Sequence, residues 1–286
     1  MSAIFKKGHT AIITGGASGI GLALAQKCAG YGMRVLIADR NADTLAKAKA
    51  SLGTAEVLTM EMDVGEVADW EKMRTMVEEK FKDQINLLSL NAGTSHPTSL
   101  LTGPDAASTA TITATLSTNL FGVVHGLTHL LPALQYRATP SSPSAVVITG
   151  SKQGITNPPG NPAYNASKAA VRSLAEHLAH DLRHRADAIA VHLLVPGWTW
   201  TPLAGAAGGG PKPPAAWTPE QVVGFLEGKM AEGQFWVLCP DNDVTEDMDR
   251  KRMLWNVNDA VLGRPPLSRW RDEYKAEFEE WMKKDL

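Results

Sequence analysis

The sequence has few of the features that mark secreted or nucleic-acid-binding proteins. Its 286 residues include only two cysteines, Cys28 and Cys239, which lie far apart in the chain. Cysteines so placed favour reduced core thiols in a reducing compartment over a disulfide framework. The formal net charge of −2 gives no sign of a nucleic-acid partner or an anionic membrane surface.

Long apolar runs and metal-ligand patterns are also lacking. No run approaches the roughly 18 apolar residues that a membrane span needs. Residues 1–9 are too few and too polar for a signal peptide. Histidines of predicted helices, such as His125 and His129, have no cysteine or carboxylate partner in ligand spacing, so no metal site is predicted. These absences predict a cytoplasmic protein without a membrane partner.

The pattern of strands and helices indicates one α/β domain. Apolar strand-like runs alternate with helical segments from Thr10 to Pro196. This alternation predicts a single doubly wound Rossmann-type domain over residues 1–240, with a parallel sheet covered by helices on both faces. Residues 241–286 form a predicted helical C-terminal extension. Its apolar anchors, which include Trp255 and Trp281, indicate packing on the same domain or on a partner subunit.

A serine, a tyrosine and a lysine form the clearest chemical pattern. Ser151 follows a predicted buried strand, and Tyr164 and Lys168 lie four residues apart on a predicted helix. Residues four apart share a helix face, so the phenol and the ammonium project together. A nearby cation lowers the pKa of a phenol. Such a group can transfer the proton of an alcohol/ketone pair, and this reaction requires a hydride carrier.

The N-terminal segment supplies a site for such a carrier. A predicted strand ends at Thr14, and a Gly-rich turn and a helix follow it. Glycines let the backbone approach a pyrophosphate, whose charge the helix N-terminus favours. The next strand ends at Asp39. A carboxylate there binds the ribose 2′-hydroxyl of NAD and repels the 2′-phosphate of NADP, so NAD is the predicted cofactor.

The spacing of Gly15, Gly19 and Gly21 after Thr14 resembles that of the short-chain dehydrogenase/reductase family. Further motifs follow in the family's order, namely Asp63-Val64, Asn91-Ala92-Gly93, Asn119, Ser151, the Tyr164/Lys168 pair and the segment from Pro196 to Thr201. The resemblance implies a sheet of about seven strands. It also implies that the helices carrying Asn119 and Tyr164 pair two subunits, giving a homodimer or a homotetramer.

The resemblance assigns roles to four residues, Asn119, Ser151, Tyr164 and Lys168. In the oxidative direction Tyr164 accepts the hydroxyl proton while hydride passes to the nicotinamide. Lys168 lowers the pKa of the tyrosine and binds the nicotinamide ribose, and Ser151 positions the substrate oxygen. Asn119 holds a water that links Lys168 to solvent. The predicted activity is NAD-dependent interconversion of a secondary alcohol and a ketone.

The same resemblance implies a set of cofactor contacts. They are Gly15, Ser18, Gly19, Ile20, Gly21, Asp39, Arg40, Asp63, Val64, Asn91, Ala92, Gly93, Tyr164, Lys168, Pro196, Gly197, Thr199 and Thr201. In the family an arginine at the position of Arg40 can accommodate a 2′-phosphate. Ser18, however, is not the basic residue that many NADP-dependent members carry, so NADP is the less favoured cofactor.

Substrate contacts are less well defined by the sequence. The Gly/Pro-rich residues 201–217 form either a substrate lid or a passive connection, and their position favours the lid. His96, Gln153 and Trp198 are candidate substrate contacts, with a surface or backbone-binding role as the alternative. Aromatic and leucine side chains near the lid indicate an apolar substrate, such as a cyclic or aromatic secondary alcohol.

Two alternative functions remain open at this point. An epimerase or dehydratase could use the same fold and cofactor without net production of NADH. A protein that senses NAD without catalysis could keep the fold, but such proteins often lose the tyrosine or the lysine, and both are present here.

Overall fold

The structure, a computed structural model, describes residues 3–53, 56–101 and 106–285. The outer limits of the two predicted regions, residues 1 and 286, lie outside this description. Within the described residues, seven strands form one sheet in the order β3-β2-β1-β4-β5-β6-β7. The strands are β1 Thr10–Thr14, β2 Arg34–Asp39, β3 Val57–Glu61, β4 Leu87–Leu90, β5 Ser144–Thr149, β6 Ile189–Val195 and β7 Trp236–Leu238.

Helices cover both faces of this sheet, in which each pair of neighbouring strands is parallel. The helices are α1 Gly19–Gly30, α2 Ala42–Ser51, α3 Val67–Phe81, α4 Ala106–Leu116, α5 Gly122–Arg137, α6 Lys152–Thr156, α7 Pro162–Asp181, α8 Pro219–Ala231, α9 Glu246–Val261 and α10 Lys275–Lys283. The predicted doubly wound α/β fold is confirmed.

Alternation of side chains along the strands builds a separate core on each face. Ile12 of β1 packs in the core that contains Trp70 of α3, whereas its neighbour Ile13 packs in the core that contains Leu24 of α1. Successive strand side chains point to opposite faces, so an all-apolar strand serves both cores at once. This is why β1 and β5 are buried at every position.

The strand order reverses direction between β1 and β4, and this places a crevice at their carboxyl ends. β1 pairs with β2 on one side and with β4 on the other, so the following chain segments leave toward opposite faces. Asn91, just after β4, ties the two strand ends together: its backbone N–H donates to Thr14 Oγ1 at 3.0 Å. Open α/β sheets bind ligands at such a crevice.

Residues 201–217, the candidate lid, have more local structure than their composition predicts. Short 3₁₀ turns occupy Pro202–Ala204 and Ala206–Gly208. The backbone N–H of Trp200 donates to the carbonyl of Trp217, and that of Trp217 donates to the carbonyl of Trp198, both at 2.8 Å. These hydrogen bonds hold the two ends of the segment together.

The C-terminal extension contacts its own domain through α9 and contains a small core around Trp255. This side chain is only 1% exposed, and its indole N–H donates to Ser268 Oγ at 2.8 Å. The rings of Phe278 and Trp281 lie 5.2 and 6.1 Å from it. Asn256, on the same helix, donates to the carbonyl of Thr156 at 2.8 Å, which joins α9 to α6.

Three observations concern the absences noted in the sequence. Cys28 and Cys239 are both free and buried. Among the described residues, no helix has the length and apolar character needed to cross a bilayer. The same part of the chain contains no group of three or more His, Cys, Asp or Glu side chains that could hold a metal ion.

Candidate active site

A cleft of about 900 Å³ opens at the carboxyl ends of the strands. Every candidate site residue named from the sequence lines it, except Gly21 and Asn119. Gly21 lies behind the turn, where an added Cβ would collide with the carbonyl oxygen of Gly15. Asn119 is fully buried behind the wall. The fold therefore gathers motifs from distant parts of the chain around one volume.

Tyr164, Ser151 and Lys168 form the centre of the cleft. Asn161 caps α7, and this helix carries both Tyr164 and Lys168 in the predicted spacing. Ser151 follows β5 and lines the cleft together with Tyr164. The Lys168 ammonium lies 5.8 Å from the centre of the tyrosine ring and donates to the carbonyl of Thr149 at 2.8 Å.

Burial is the largest influence on the ionisation of these groups. It raises the pKa of Tyr164, and the hydrogen bond with Ser151 acts in the opposite direction. Burial also lowers the pKa of Lys168 to about 8. The sequence alone indicates only the effect of the cation on the phenol. The structure adds desolvation, which disfavours the charged form of both groups.

Asn119 holds the segment after the Asn91-Ala92-Gly93 turn. It lies in a single π-helical turn, Ser117–Phe121, between α4 and α5. Its Oδ1 accepts from the backbone N–H of Thr94 at 2.8 Å, and its Nδ2 donates to the carbonyl of Thr94 at 2.9 Å and to Ser167 Oγ at 3.0 Å. A π turn often marks a functional site because it redirects one side chain within a helix.

The other half of the cleft has the shape that a dinucleotide needs. Gly15 has a φ of +63°, and a Cβ there would lie 2.9 Å from Ala92 Cα. Gly19 has a φ of +51°, and a Cβ there would lie 3.0 Å from Thr201 Cγ2. Ser18 precedes α1 without a side-chain capping bond. A glycine turn that leads into a helix N-terminus fits a pyrophosphate.

Asp39, the last residue of β2, and the next residue, Arg40, also line the cleft. Asp39 Oδ2 accepts from the backbone N–H of Ala17 at 3.2 Å, which orients the carboxylate against the glycine turn. Arg40 is exposed. The carboxylate fits a ribose hydroxyl and the guanidinium fits a phosphate. The residues present therefore fit a nicotinamide dinucleotide.

The three candidate substrate contacts, His96, Gln153 and Trp198, all line this cleft. His96 Nε2 lies 2.9 Å from Thr94 Oγ1, and Trp198 is half-exposed. On an extended backbone Gln153 would point to the same side as Ser151. A helix begins at Lys152 instead, so the alternation of side chains along a strand does not determine the direction of the Gln153 side chain. Its side chain reaches the cleft from the first turn of that helix.

The sequence motifs did not indicate Lys152, which lines the same cleft and lies between Ser151 and Gln153 in the chain. Its ammonium lies 3.1 Å from Asp241 Oδ2 and 3.0 Å from Asp249 Oδ2. Both acids follow the last strand, far along the chain from Lys152. No local pattern could have indicated these partners.

Comparison with known proteins places the chain in a family. A family model described as short chain dehydrogenase matches residues 9–209. The protein therefore belongs to the short-chain dehydrogenase/reductase family, as its motifs indicated.

Two relatives are enzymes that act on hydroxyl groups, according to their names. The chain is 34% identical over 198 residues to an NADP-dependent (R)-specific alcohol dehydrogenase of Lentilactobacillus kefiri, covering 69% of this chain and 75% of that protein. It is 32% identical over 177 residues to a cis-2,3-dihydrobiphenyl-2,3-diol dehydrogenase of Paraburkholderia xenovorans, covering 62% and 61%.

Solved structures share most of the fold. A short chain dehydrogenase/reductase from Burkholderia phymatum, in complex with NAD, superposes with a TM-score of 0.77 at 28% identity, covering 91% of this chain and 96% of that one. RhlG of Pseudomonas aeruginosa, in an active-site complex with NADP, gives a TM-score of 0.69 at 26% identity, covering 80% and 92%. Proteins of this fold thus carry either dinucleotide.

Proposed function

We propose that this oxidoreductase interconverts a secondary alcohol and a ketone with NAD as its cofactor. One observation carries the proposal: Tyr164, Ser151 and Lys168 line one cleft whose other half fits a dinucleotide, and Ser151 is close enough to Tyr164 to lower its pKa by hydrogen bonding. Two adjacent hydroxyls can both bind one substrate oxygen. The catalytic unit in this proposal spans residues 1–240, with residues 241–286 as an extension.

Tyr164 acts as the acid and base of the proposed reaction. A bound nicotinamide supplies or accepts the hydride. In reduction the Tyr164 O–H donates its proton to the substrate oxygen, and the raised pKa keeps the tyrosine protonated and ready to donate. In oxidation the same oxygen accepts the proton. A hydrogen bond from Ser151 and the charge of Lys168 stabilise the phenolate during that step.

Cofactor preference rests on the carboxylate of Asp39. It lines the cleft at the end of β2, where the ribose of the adenosine half fits. A 2′-phosphate placed there would face this negative charge, which supports NAD over NADP. The neighbouring Arg40 gives NADP a weaker alternative contact. Asp63 and Val64 are the proposed adenine contacts, and Thr199 and Thr201 are the proposed contacts of the nicotinamide end.

Apolar side chains at the catalytic end support an apolar substrate. Trp198 and Leu203 both line the cleft, and each leaves about half of its surface exposed. Exposed apolar surface inside a cleft gains stability when a ligand covers it. A secondary alcohol with a cyclic or aromatic body fits this surface, with its oxygen at Tyr164 and Ser151.

A substrate screen with a matched pair of tyrosine variants tests this function. We expect purified protein to reduce NAD with some cyclic or aromatic secondary alcohols, followed by NADH absorbance. Tyr164→Phe should lower kcat by roughly 10² to 10⁴, the usual contribution of a positioned acid or base, and leave NAD binding intact. Tyr136→Phe is the control because Tyr136 is 81% exposed, outside the cleft.

Three results would contradict the proposal in different ways. Turnover of Tyr164→Phe within a factor of about three of the wild type would remove the tyrosine from the mechanism. Conversion of a substrate without net NADH would indicate an epimerase or dehydratase. Tight NAD binding without any turnover would indicate a sensing protein.

A further inference from the structure

A buried cluster of charges lies next to the catalytic serine and outside the predicted site. Lys152, the residue after Ser151, places its ammonium between the carboxylates of Asp241 and Asp249. The Asp249 side chain is 0% exposed, and its other oxygen lies 3.3 Å from the Arg252 guanidinium. Buried charges need partners of opposite sign, so each member of this cluster depends on the others.

Asp241 connects this cluster to the loop proposed to hold the nicotinamide. Its Oδ2 accepts from the backbone N–H of Trp198 at 3.1 Å, and its Oδ1 accepts from that of Val244 at 2.9 Å. An added Cβ on Gly197 would lie 2.7 Å from Asp241 Oδ2 and 2.8 Å from Lys152 Nζ. The ion pair is therefore packed directly against the loop.

Helix α9 holds the other end of the short helix that starts at Ser151. Asn256 Nδ2 donates to the carbonyls of Ile155 and Thr156, at the last turn of α6. Asp249 binds Lys152 at the first residue of the same helix. Two contacts from one rigid helix, at both ends of α6, fix the position and direction of α6.

Helix α6 has only five residues, too few for a stable helix on its own. Ser151 is its N-cap, and the serine Oγ accepts from the backbone N–H of Gln153 at 3.2 Å. On its inner side, Gly154 lies against the backbone of Lys168, where an added Cβ would approach the carbonyl carbon to 2.7 Å. A shift of α6 would thus move the serine relative to the tyrosine and lysine.

We propose that the C-terminal extension is part of the catalytic apparatus, with Asp249 and Asn256 as positioning residues. They hold α6 and, through Lys152 and Asp241, the Pro196–Thr201 loop, so that Ser151 and Tyr164 converge on one substrate oxygen. This inference rests on the proposed function, since it assigns to the extension the alignment of those two hydroxyls.

The test compares Asp249→Asn and Asn256→Ala with a control on the same helix. Asp247→Asn is that control, because Asp247 pairs with Lys251 at the surface at 2.9 Å and touches neither α6 nor the cleft. Active sites are counted by NAD titration, so that kcat is expressed per site able to bind cofactor. Hydrogen exchange is followed in residues 151–157 and 196–201.

We expect Asp249→Asn to lower kcat per site at least about tenfold, because a small misplacement of reacting groups costs as much as 10²-fold. The Kd for NAD should rise by a smaller factor than kcat falls, because the glycine turn and Asp39 bind the other half of the dinucleotide and lie away from the Pro196–Thr201 loop. Exchange should rise in both segments. Asn256→Ala should show the same pattern more weakly, and Asp247→Asn should match the wild type.

A double variant separates positioning from a direct effect of Lys152 on the ligand. If Lys152 acts through Asp249, adding Asp249→Asn to Lys152→Met should lower kcat by less than the product of the two single effects. If kcat of the double variant instead falls by the full product of the two single effects, the two residues act independently and the proposed coupling is wrong.

Other outcomes also decide the inference. A kcat per site within about twofold of the wild type in both α9 variants would overturn it, and so would equal losses in Asp247→Asn. Hydrogen exchange does not require turnover. If the wild type were inactive on every alcohol, the proposed function would fail, and unchanged exchange in Asp249→Asn would separately overturn the positioning role.

Discussion

Burial acts on two titratable side chains at the centre of the cleft, and it favours the neutral form of each. The pKa of Tyr164 is raised, and that of Lys168 is lowered to about 8. A neutral tyrosine suits proton donation in the reductive direction. A lysine that titrates near neutral pH can exchange its proton with the surroundings of the site during turnover. The burial of these two side chains therefore affects both catalysis and stability.

The lowered pKa of Lys168 should appear in the pH dependence of stability. An unfolded lysine has a pKa of about 10.4, so between about 8 and 10.4 the unfolded chain binds a proton that the folded chain has released. Stability therefore increases as the pH rises through this window. From pH 7.5 to 9.5 we expect the wild type to gain about 2 kcal/mol relative to Lys168→Met.

Urea denaturation of both proteins without cofactor, at those two pH values, measures this difference. Comparison with Lys168→Met removes the contribution of every other titrating group that the two proteins share. A difference in unfolding free energy that stays constant between the two pH values would contradict the assigned ionisation of Lys168.

Asp39 should decide the choice of dinucleotide. We expect NAD to bind at least tenfold more tightly than NADP, because a carboxylate facing a 2′-phosphate costs more than about 1.4 kcal/mol. Asp39→Asn should narrow this ratio, whereas Asp43→Asn, an exposed acid on α2, should leave it unchanged. Dissociation constants for both dinucleotides give the answer. Equal affinities in the wild type would assign the choice to Arg40.

At the scale of elements, the C-terminal extension has a core of its own that holds α9 in place. Arg264 stacks on the Trp255 ring at 3.7 Å and also pairs with Asp259 at 3.1 Å. Asp259 in turn accepts from the backbone N–H of Ser268 at 3.1 Å. Trp281 Nε1 donates to the carbonyl of Lys251 at 3.0 Å, which brings α10 onto α9. Trp255 lies at the centre of these contacts.

Removal of the Trp255 side chain should therefore destabilise the protein strongly. We expect Trp255→Ala to lower the free energy of unfolding by about 3–5 kcal/mol, since a large buried ring would leave a cavity. Trp270→Ala is the matched control within the same extension, because Trp270 is 42% exposed. Chemical denaturation of both variants measures the effect. Similar losses in the two proteins would argue against a distinct core around Trp255.

At the scale of the whole molecule, α7 presents small side chains on its outer face. Ala166, Ala169 and Ser173 are exposed there, while Lys168 and Val171 of the same helix face inward. Small residues let a second helix approach closely. Phe121, half-exposed just before the start of α5, adds an apolar neighbour. These features support the proposed pairing of two subunits through α5 and α7.

Analytical ultracentrifugation tests this assembly. We expect a mass at micromolar concentration of at least twice that of one chain. Ala169→Arg should shift the mass to that of one chain, because a long charged side chain cannot fit between closely packed helices. Ala50→Arg, at an exposed position of α2, should leave the mass unchanged. A wild-type protein with the mass of a single chain would remove the proposed dimer.

Local patterns in the sequence were enough to predict the fold and the family. The central strands are largely apolar runs, the glycine spacing after Thr14 is specific, and Tyr164 and Lys168 keep the i, i+4 relation of a helix face. Each of these signals spans only a few residues, so the local backbone geometry is enough to predict a strand, a turn or a helix from it. The confirmed order of elements follows from such signals.

How the parts of the site act on one another depends on contacts between distant segments of the chain. Ser151 and Tyr164 reach the cleft from separate elements, burial by the surrounding elements moves the pKa values of Tyr164 and Lys168, and the π turn holds Asn119 against Thr94. The ion pairs that link Lys152 with Asp241 and Asp249 are of the same kind. Contacts between residues so far apart depend on how helices pack on the sheet, and desolvation depends on everything that surrounds a group. The sequence determined which chemical groups this protein has, and packing determined which of them meet and how they ionise.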